Sequence, residues 1–367
     1  MSDKYTTIHY HDYLELDKIL NAQHPRSGEG GDAAHEETLF IIIHQVYELW
    51  FKQILHEVES VNEMFDNDRI DERNLGIVVQ RLDRVREIMK LIIQQIVVLE
   101  TMTPLDFLDF RGYLFPASGF QSYQFRMLEA MLGLPDEQRI TYHGQHYTSV
   151  FPDDIKKKLL EAEKNSLFDA VEAWLERTPF LQFEGFRFIE QYKSAVERMI
   201  EKEQAAIKES EFLSEKMKSQ RLEMLGSTET YFNAILDKEV YDEKREKGEL
   251  KLSYKACVAA LLINLYRDEP LLHLPFKFLN ALVDIDELFT TWRYRHAQMV
   301  LRMLGKKIGT GGSSGHEYLL KTAFRHQIFT DLHNISTLLI PRSELPDLPD
   351  FLVKELGFAF TQRNDGK

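Results

Sequence analysis

Trp292-Arg293-Tyr294-Arg295-His296-Ala297-Gln298-Met299-Val300-Leu301-Arg302-Met303-Leu304 decides the fold. Leu288, Trp292, Met299 and Met303 recur at helical steps, so they form one apolar face of an α-helix, and His296 falls on that face. The same period governs residues 39–64 and 75–99, and convincing period-two alternation bounded by turn residues is not found along the chain. The expected fold class is therefore all-α. A buried imidazole needs partners for its ring nitrogens. A backbone carbonyl or a carboxylate would serve His296, and so would a metal. Of the metals, haem suits an apolar stripe better than zinc, because it takes one axial His and an apolar wall, whereas zinc needs three or four clustered ligands.

Behind this helix comes Gly309-Thr310-Gly311-Gly312-Ser313-Ser314-Gly315. Glycine commonly ends helices, yet four glycines exceed what a stop requires and would suit a flap that closes over a ligand. A phosphate cradle is disfavoured, since His316 follows the last glycine and a helix precedes the loop. No Gly-x-Ser-x-Gly elbow, His-Glu-x-x-His or dinucleotide fingerprint is present, which removes support for serine hydrolase, zincin and nicotinamide chemistry.

With 45 basic against 59 acidic residues, the net charge of −14 opposes phosphate backbones and anionic lipid, so neither nucleic acid nor a membrane is the expected partner. Cys257 is the only cysteine, which rules out an internal disulfide, a thiolate cluster and haem attached through Cys-x-x-Cys-His. Any haem is then noncovalent. Residues 1–10 are polar and no apolar run approaches bilayer length, so a cytoplasmic location is expected.

Five regions are expected: an arm with a flexible connection over 1–31, a first core part over 32–134, a charged helical insertion over 135–249, a second core part over 250–345 and a tail over 346–367. Within them we expect a first helix over 10–21, a helix over 120–132 capped by Ser118, and a last helix running from 317 to about 339.

Phe40, His44, Tyr47 and Phe51 share a second helix face, which puts another imidazole among aromatics. His44 there is either a satisfied core residue or lies across a pocket from His296. Arg111 follows Phe107 and Phe110 and is either a surface residue with a buried stem or a fork for a substrate carboxylate.

Taken together, the run from His35-Glu36-Glu37-Thr38-Leu39-Phe40 through His44-Gln45-Val46-Tyr47-Glu48-Leu49-Trp50, then Pro116-Ala117-Ser118-Gly119-Phe120-Gln121-Ser122, Trp292 to His296 and the glycine loop resembles the tryptophan 2,3-dioxygenase family. The resemblance spans nearly the whole chain, and includes Trp174-Leu175-Glu176-Arg177-Thr178-Pro179. It implies a helical-bundle fold holding noncovalent haem b, and insertion of both atoms of O₂ across the indole C2–C3 bond of L-tryptophan to give N-formylkynurenine, the first step of the kynurenine pathway. It further implies a homotetramer, a dimer of dimers.

By motif, His296 is the axial iron ligand, with Ser118, Gly119 and Trp292 against the haem. His44 faces the indole N–H, Phe40 and Phe107 wall the ring, Arg111 holds the carboxylate and Thr310 closes on the head group. Tyr10, Tyr13 and Leu14 would reach a neighbouring subunit's site. His11 and Ile43 depart from the family pattern at the edge of the pocket. A haem-dependent indole monooxygenase, a haem-binding protein without turnover and a helical scaffold are the alternatives to this reading.

Overall fold

The computed structural model describes residues 7–29, 31, 33–65, 72–141, 146–305, 307 and 315–357. Among them all regular structure is helical apart from one two-stranded antiparallel ribbon, in which Gln182 pairs with Arg187 and Phe183 with Phe186.

Helices α1 (Tyr10–Tyr13) and α2 (Leu16–Leu20) replace the single first helix expected over 10–21. They part at Glu15, whose φ is 49°, and neither buries a residue, so no packing holds them in line. The following connection is less free than its glycines suggest. The buried Glu37 carboxylate accepts hydrogen bonds from the backbone N–H groups of Arg26 and Ser27 and from the Ser27 hydroxyl, at 2.8, 2.9 and 2.5 Å.

Helix α3 (His35–Phe65) buries Ile43, Tyr47, Phe51, Ile54, Val58, Val61 and Phe65, and α4 (Leu75–Leu99) buries Leu75, Val78, Leu82, Val85, Met89, Ile92, Ile96 and Leu99. These three- and four-residue steps give each helix one continuous apolar stripe, and the two stripes pack together. Pro104 opens α5 (Pro104–Arg111) behind a reciprocal Thr103–Asp106 capping box. Ser118 caps only the tight 3₁₀ turn Gly119–Gln121; the helix proper, α6 (Tyr123–Leu132), is capped by Ser122. Gly133 ends it at φ 105°, where a Cβ would stand 2.5 Å from that of Phe168, so both conformation and space demand glycine.

The charged region holds α7 (Asp153–Ala162), α8 (Leu167–Glu176), α9 (Phe188–Glu209), α10 (Glu215–Leu236) and α11 (Lys238–Glu246). Helices α9 and α10 pack on each other, whereas α8 packs on α3 and on α12 (Tyr254–Leu265). Ala256 through Ile263 are all buried, as a helix apolar on every side requires.

The longest helix, α13 (Pro270–Leu304), packs against α4 and α14 (Gly315–Arg325). The single helix expected from 317 to about 339 is instead α14, α15 (Thr330–Asn334) and a 3₁₀ turn, with α16 (Asp350–Leu356) beyond. The break has a polar cause. Buried Asp286 accepts the N–H groups of Ile328 and Phe329 at about 3.0 Å, and the Lys251 ammonium donates to the carbonyls of Gln327 and Ile328 at 2.8 and 3.1 Å. Side chains from other segments thus satisfy backbone groups that a continuous helix would have paired internally. Among the described residues no single helix is long and apolar enough to cross a membrane; α4 and the segment from Pro104 to Leu114 would pass only as a pair, and they are bent by 90°.

Candidate functional site

Helices α3, α5, α6, α13 and α14 and the Ser118 turn enclose a cavity of about 370 Å³, within the range of small-molecule sites. Phe40, His44, Phe107, Arg111, Ser118, Gly119, Trp292 and His296 all line it. Residues proposed from sequence separations of up to 256 positions therefore meet in one space.

One end is apolar and aromatic. The Phe40 ring lies 4.0 Å from the His44 ring, 5.8 Å from Phe107 and 5.5 Å from Phe110, centroid to centroid. Trp292 is set edge-on to Phe51 at 6.0 Å and tilted against Phe125 at 5.0 Å and His296 at 5.3 Å. Its indole N–H is buried without a hydrogen bond, although it lies close enough to the Tyr47 hydroxyl to oppose the rise that burial causes in the Tyr47 pKa.

The two imidazoles here differ. His44 Nδ1 lies 2.7 Å from the Phe40 carbonyl oxygen. A carbonyl can only accept, so Nδ1 carries the hydrogen and Nε2 presents a lone pair. Burial lowers the His44 pKa, against the opposing pull of that hydrogen bond and of Glu48. His296 makes no hydrogen bond to a described residue; burial, and next the proximity of His44, push its pKa down to about 4. A neutral nitrogen without a partner, on an apolar wall, can serve as the single axial ligand of a planar macrocycle. Among the described residues no three or more His, Cys, Asp or Glu converge as a metal site, so the donor set fits that arrangement and not a multi-ligand ion.

At the other end the cavity is lined by Arg126, Glu129, Arg293 and His326, members of a buried charge cluster that Arg139 completes from outside the cavity lining. Glu129 accepts from Arg126 at 2.8 Å, Arg139 at 3.1 Å and Arg293 at 2.9 Å, and His326 Nδ1 lies 3.4 Å away. Burial alone would raise the Glu129 carboxyl, but the guanidiniums and His326 overcome it and hold it well below the usual range. A carboxylate can only accept, so His326 Nδ1 donates and its Nε2 accepts the Ile140 N–H at 3.3 Å. Arg293 closes the ring by donating to the His326 carbonyl at 2.9 Å.

Some expectations fall outside this cavity. Tyr10, Tyr13 and Leu14 do not line it; Tyr10 is 70% and Tyr13 71% exposed. Thr310, with all of its loop except Gly315, lies outside the described residues, while Gly315 itself lines the cavity. Sequence reasoning passed over Arg126, Glu129, Arg293 and His326. One signal was available: Ile285, Phe289, Arg293 and Ala297 are spaced by four, and all are buried, so Arg293 sits in a core register.

Comparison with known proteins places the chain in a family. A family model described as tryptophan 2,3-dioxygenase matches residues 2–339. The chain is 50% identical to a tryptophan 2,3-dioxygenase of Bdellovibrio bacteriovorus, over 97% of this chain and 100% of that one. It is 48% identical to that of Dictyostelium discoideum, over 96% and 89% of the two chains, and 47% identical to that of Mus musculus, over 95% and 86%.

Proposed function

The chain belongs to the tryptophan 2,3-dioxygenase family, and from that premise we propose that it inserts both atoms of O₂ across the indole C2–C3 bond of L-tryptophan, yielding N-formylkynurenine and opening tryptophan degradation by the kynurenine pathway. The observation that carries this reading is the pair of unlike imidazoles on one cavity: His44, with its Nδ1 hydrogen-bonded and its Nε2 without a partner among the described residues, and His296, with no hydrogen bond among them.

In this reading haem b, bound without covalent attachment, supplies the activation of O₂. His296 would hold its iron, with Trp292 packed beside that imidazole and Ser118 and Gly119 lining the same cavity. The chain's own residues do the rest. Phe40 and Phe107, whose rings lie side by side at 5.8 Å, wall the indole and exclude water. His44 Nε2 accepts the indole N–H hydrogen bond, which orients C2 and C3. An indole N–H is a very weak acid, so this is positioning and not deprotonation. Arg111 forks the substrate carboxylate, a charged contact worth about 1.5–3 kcal/mol, or roughly one to two powers of ten in affinity. That selects an amino acid over a bare indole.

Thr310 is assigned in the same way to the amino acid head group. Tyr10, Tyr13 and Leu14 are assigned to a neighbouring subunit's cavity within a homotetramer, and the exposure of both tyrosines supports this. In the same reading residues 1–31 are an exchanged arm, 135–249 an insertion between the two core parts 32–134 and 250–345, and 346–367 a tail; the location is the cytosol.

The test is reaction of the haem-loaded, reduced protein with L-tryptophan under ¹⁸O₂. Mass spectrometry is expected to find both labelled atoms in N-formylkynurenine. Incorporation of one atom would overturn the dioxygenase reading in favour of monooxygenation.

A further inference from the structure

Phe40, His44 and Glu48 follow one another at four-residue steps on α3, and all three line the cavity. The first two meet the ligand in the reading above; Glu48 has no role in it. Its carboxylate is half-buried, and among the described residues it makes no ion pair. Both oxygens are nonetheless occupied. The Ser122 hydroxyl donates to Oε1 at 2.6 Å and the Gln124 amide to Oε2 at 2.9 Å. The same Gln124 amide nitrogen also donates to the Glu48 backbone carbonyl at 2.8 Å.

What Glu48 grips is a braced unit. The Ser118 N–H donates to Gln121 Oε1 at 3.2 Å, the Ser118 hydroxyl accepts the Phe120 N–H at 3.4 Å, and the Ser122 hydroxyl accepts the Phe125 N–H at 3.3 Å as the cap of α6. Ser118 and Gly119 form the cavity wall at one end of this unit, and Arg126 and Glu129 follow within α6 at the other. Keeping a carboxylate beside an apolar cavity costs desolvation, which charge-assisted hydrogen bonds to two neutral donors offset. A charge is thus used to join the two walls.

We propose that Glu48 is a positioning residue: through Ser122 and Gln124 it clamps the Ser118–Gln124 segment to α3, so that the Ser118–Gly119 wall and the His44 imidazole hold one separation across the ligand. This deepens the reading under Proposed function and rests on it. The carboxylate also acts on His44 directly, raising its pKa against burial. The clamp, however, is a matter of geometry, and a neutral side chain able to make both bonds preserves it. The amide introduced by Glu48→Gln would do so, its oxygen accepting from Gln124 and its nitrogen donating to the Ser122 hydroxyl.

The test compares Glu48→Ala, Glu48→Gln, Ser122→Ala and the Glu48→Ala/Ser122→Ala double variant in the haem-loaded enzyme. Amide hydrogen exchange over residues 116–126 is measured alongside turnover. Glu48→Ala is expected to speed exchange there and to lower kcat/KM about thirtyfold, chiefly through kcat, because the substrate still binds but is misaligned. Glu48→Gln is expected to recover to within about fivefold of wild type, and the double variant to lose clearly less than the product of the two single losses, as for partners in one contact, any excess over Glu48→Ala reflecting the α6 cap that Ser122 also supplies. Turnover within about twofold of wild type in Glu48→Ala would overturn the clamp. So would equal damage in Glu48→Gln, which would point to charge, or multiplying effects in the double variant. If Glu48→Ala does not fold, Gln124→Ala removes one of the same bonds from the other side, and unchanged exchange and turnover there would overturn it equally. A wild-type protein without turnover would instead sink the dioxygenase reading, while the exchange data would still report on the clamp.

Discussion

The two ends of the cavity are built by different physics. The aromatic end, with Phe40, His44, Phe107, Trp292 and His296, comes chiefly from periodic apolar faces on α3 and α13, each a property of its own segment, with Phe107 added from the short α5. The charged end, with Arg126, Arg293, His326 and Glu129 backed by Arg139, comes from charges on separate segments that one carboxylate gathers. An apolar face tolerates many neighbours, because burial is non-directional. A buried carboxylate does not, because each guanidinium must arrive at hydrogen-bond distance or leave a charge uncompensated. The aromatic end should therefore be the place where substitutions alter chemistry, and the charged end the place where they alter the fold.

The largest effect expected is all-or-none. His296→Ala removes the only axial donor proposed, so the five-coordinate ferrous spectrum should vanish while circular dichroism keeps its helical signal. An unchanged spectrum would break the assignment of the aromatic end to cofactor chemistry. At the opposite end, Glu129→Ala leaves three guanidiniums without their shared partner, although Arg139 keeps Glu163 at 3.3 Å. Unfolding in denaturant should show a loss of about 3–5 kcal/mol. A loss under about 1 kcal/mol would mean that the cluster is not structural, and the contrast between the two ends would fail.

A smaller effect is expected from His44→Ala. Loss of one hydrogen bond to the indole N–H should lower kcat/KM about threefold to tenfold and leave the haem spectrum and stability in place. Full activity would remove His44 from the substrate site. The subtlest sharpening concerns pH. Burial lowers the His326 pKa from its ordinary 6.5, so the fold favours the neutral ring. Its contribution to stability is then complete above pH 6.5 and is lost as the pH falls through the lower folded value. Tm measured from about pH 8 to about pH 5 should fall less steeply in His326→Gln, whose amide can both donate to Glu129 and accept from Ile140. Parallel curves would assign the acid sensitivity to other groups.

Much of the fold is readable from the residues alone. The run from Leu75 to Leu99 keeps its three-four spacing to the last turn, and the helix has those bounds. His44 and His296 were conspicuous because each interrupts an apolar face. Reading failed where a distant side chain intervened. Nothing within residues 317–339 announces that Asp286 and Lys251 will take the backbone groups around Ile328 and end the helix there. The arm failed for the opposite reason: a helical pattern over 10–21 had nothing to pack against in this chain, and it parts at Glu15. Glu48 stayed unnoticed because its partners, Ser122 and Gln124, are ordinary cap and loop residues until the fold brings them 74 and 76 positions back along the chain.

The helical class, the apolar faces and the imidazoles on them are legible in the residues, because a 3.6-residue period is a local property that each segment carries wherever it packs. Packing of the whole chain was needed to bring Glu129 to Arg293 and His326 across 164 and 197 positions, and Glu48 to Ser122 and Gln124. Hydrogen bonds and ion pairs act over a few ångströms and in fixed directions, so which charges find each other is settled by the approach of whole helices, and a core register such as that of Arg293 marks a buried charge without naming its partner.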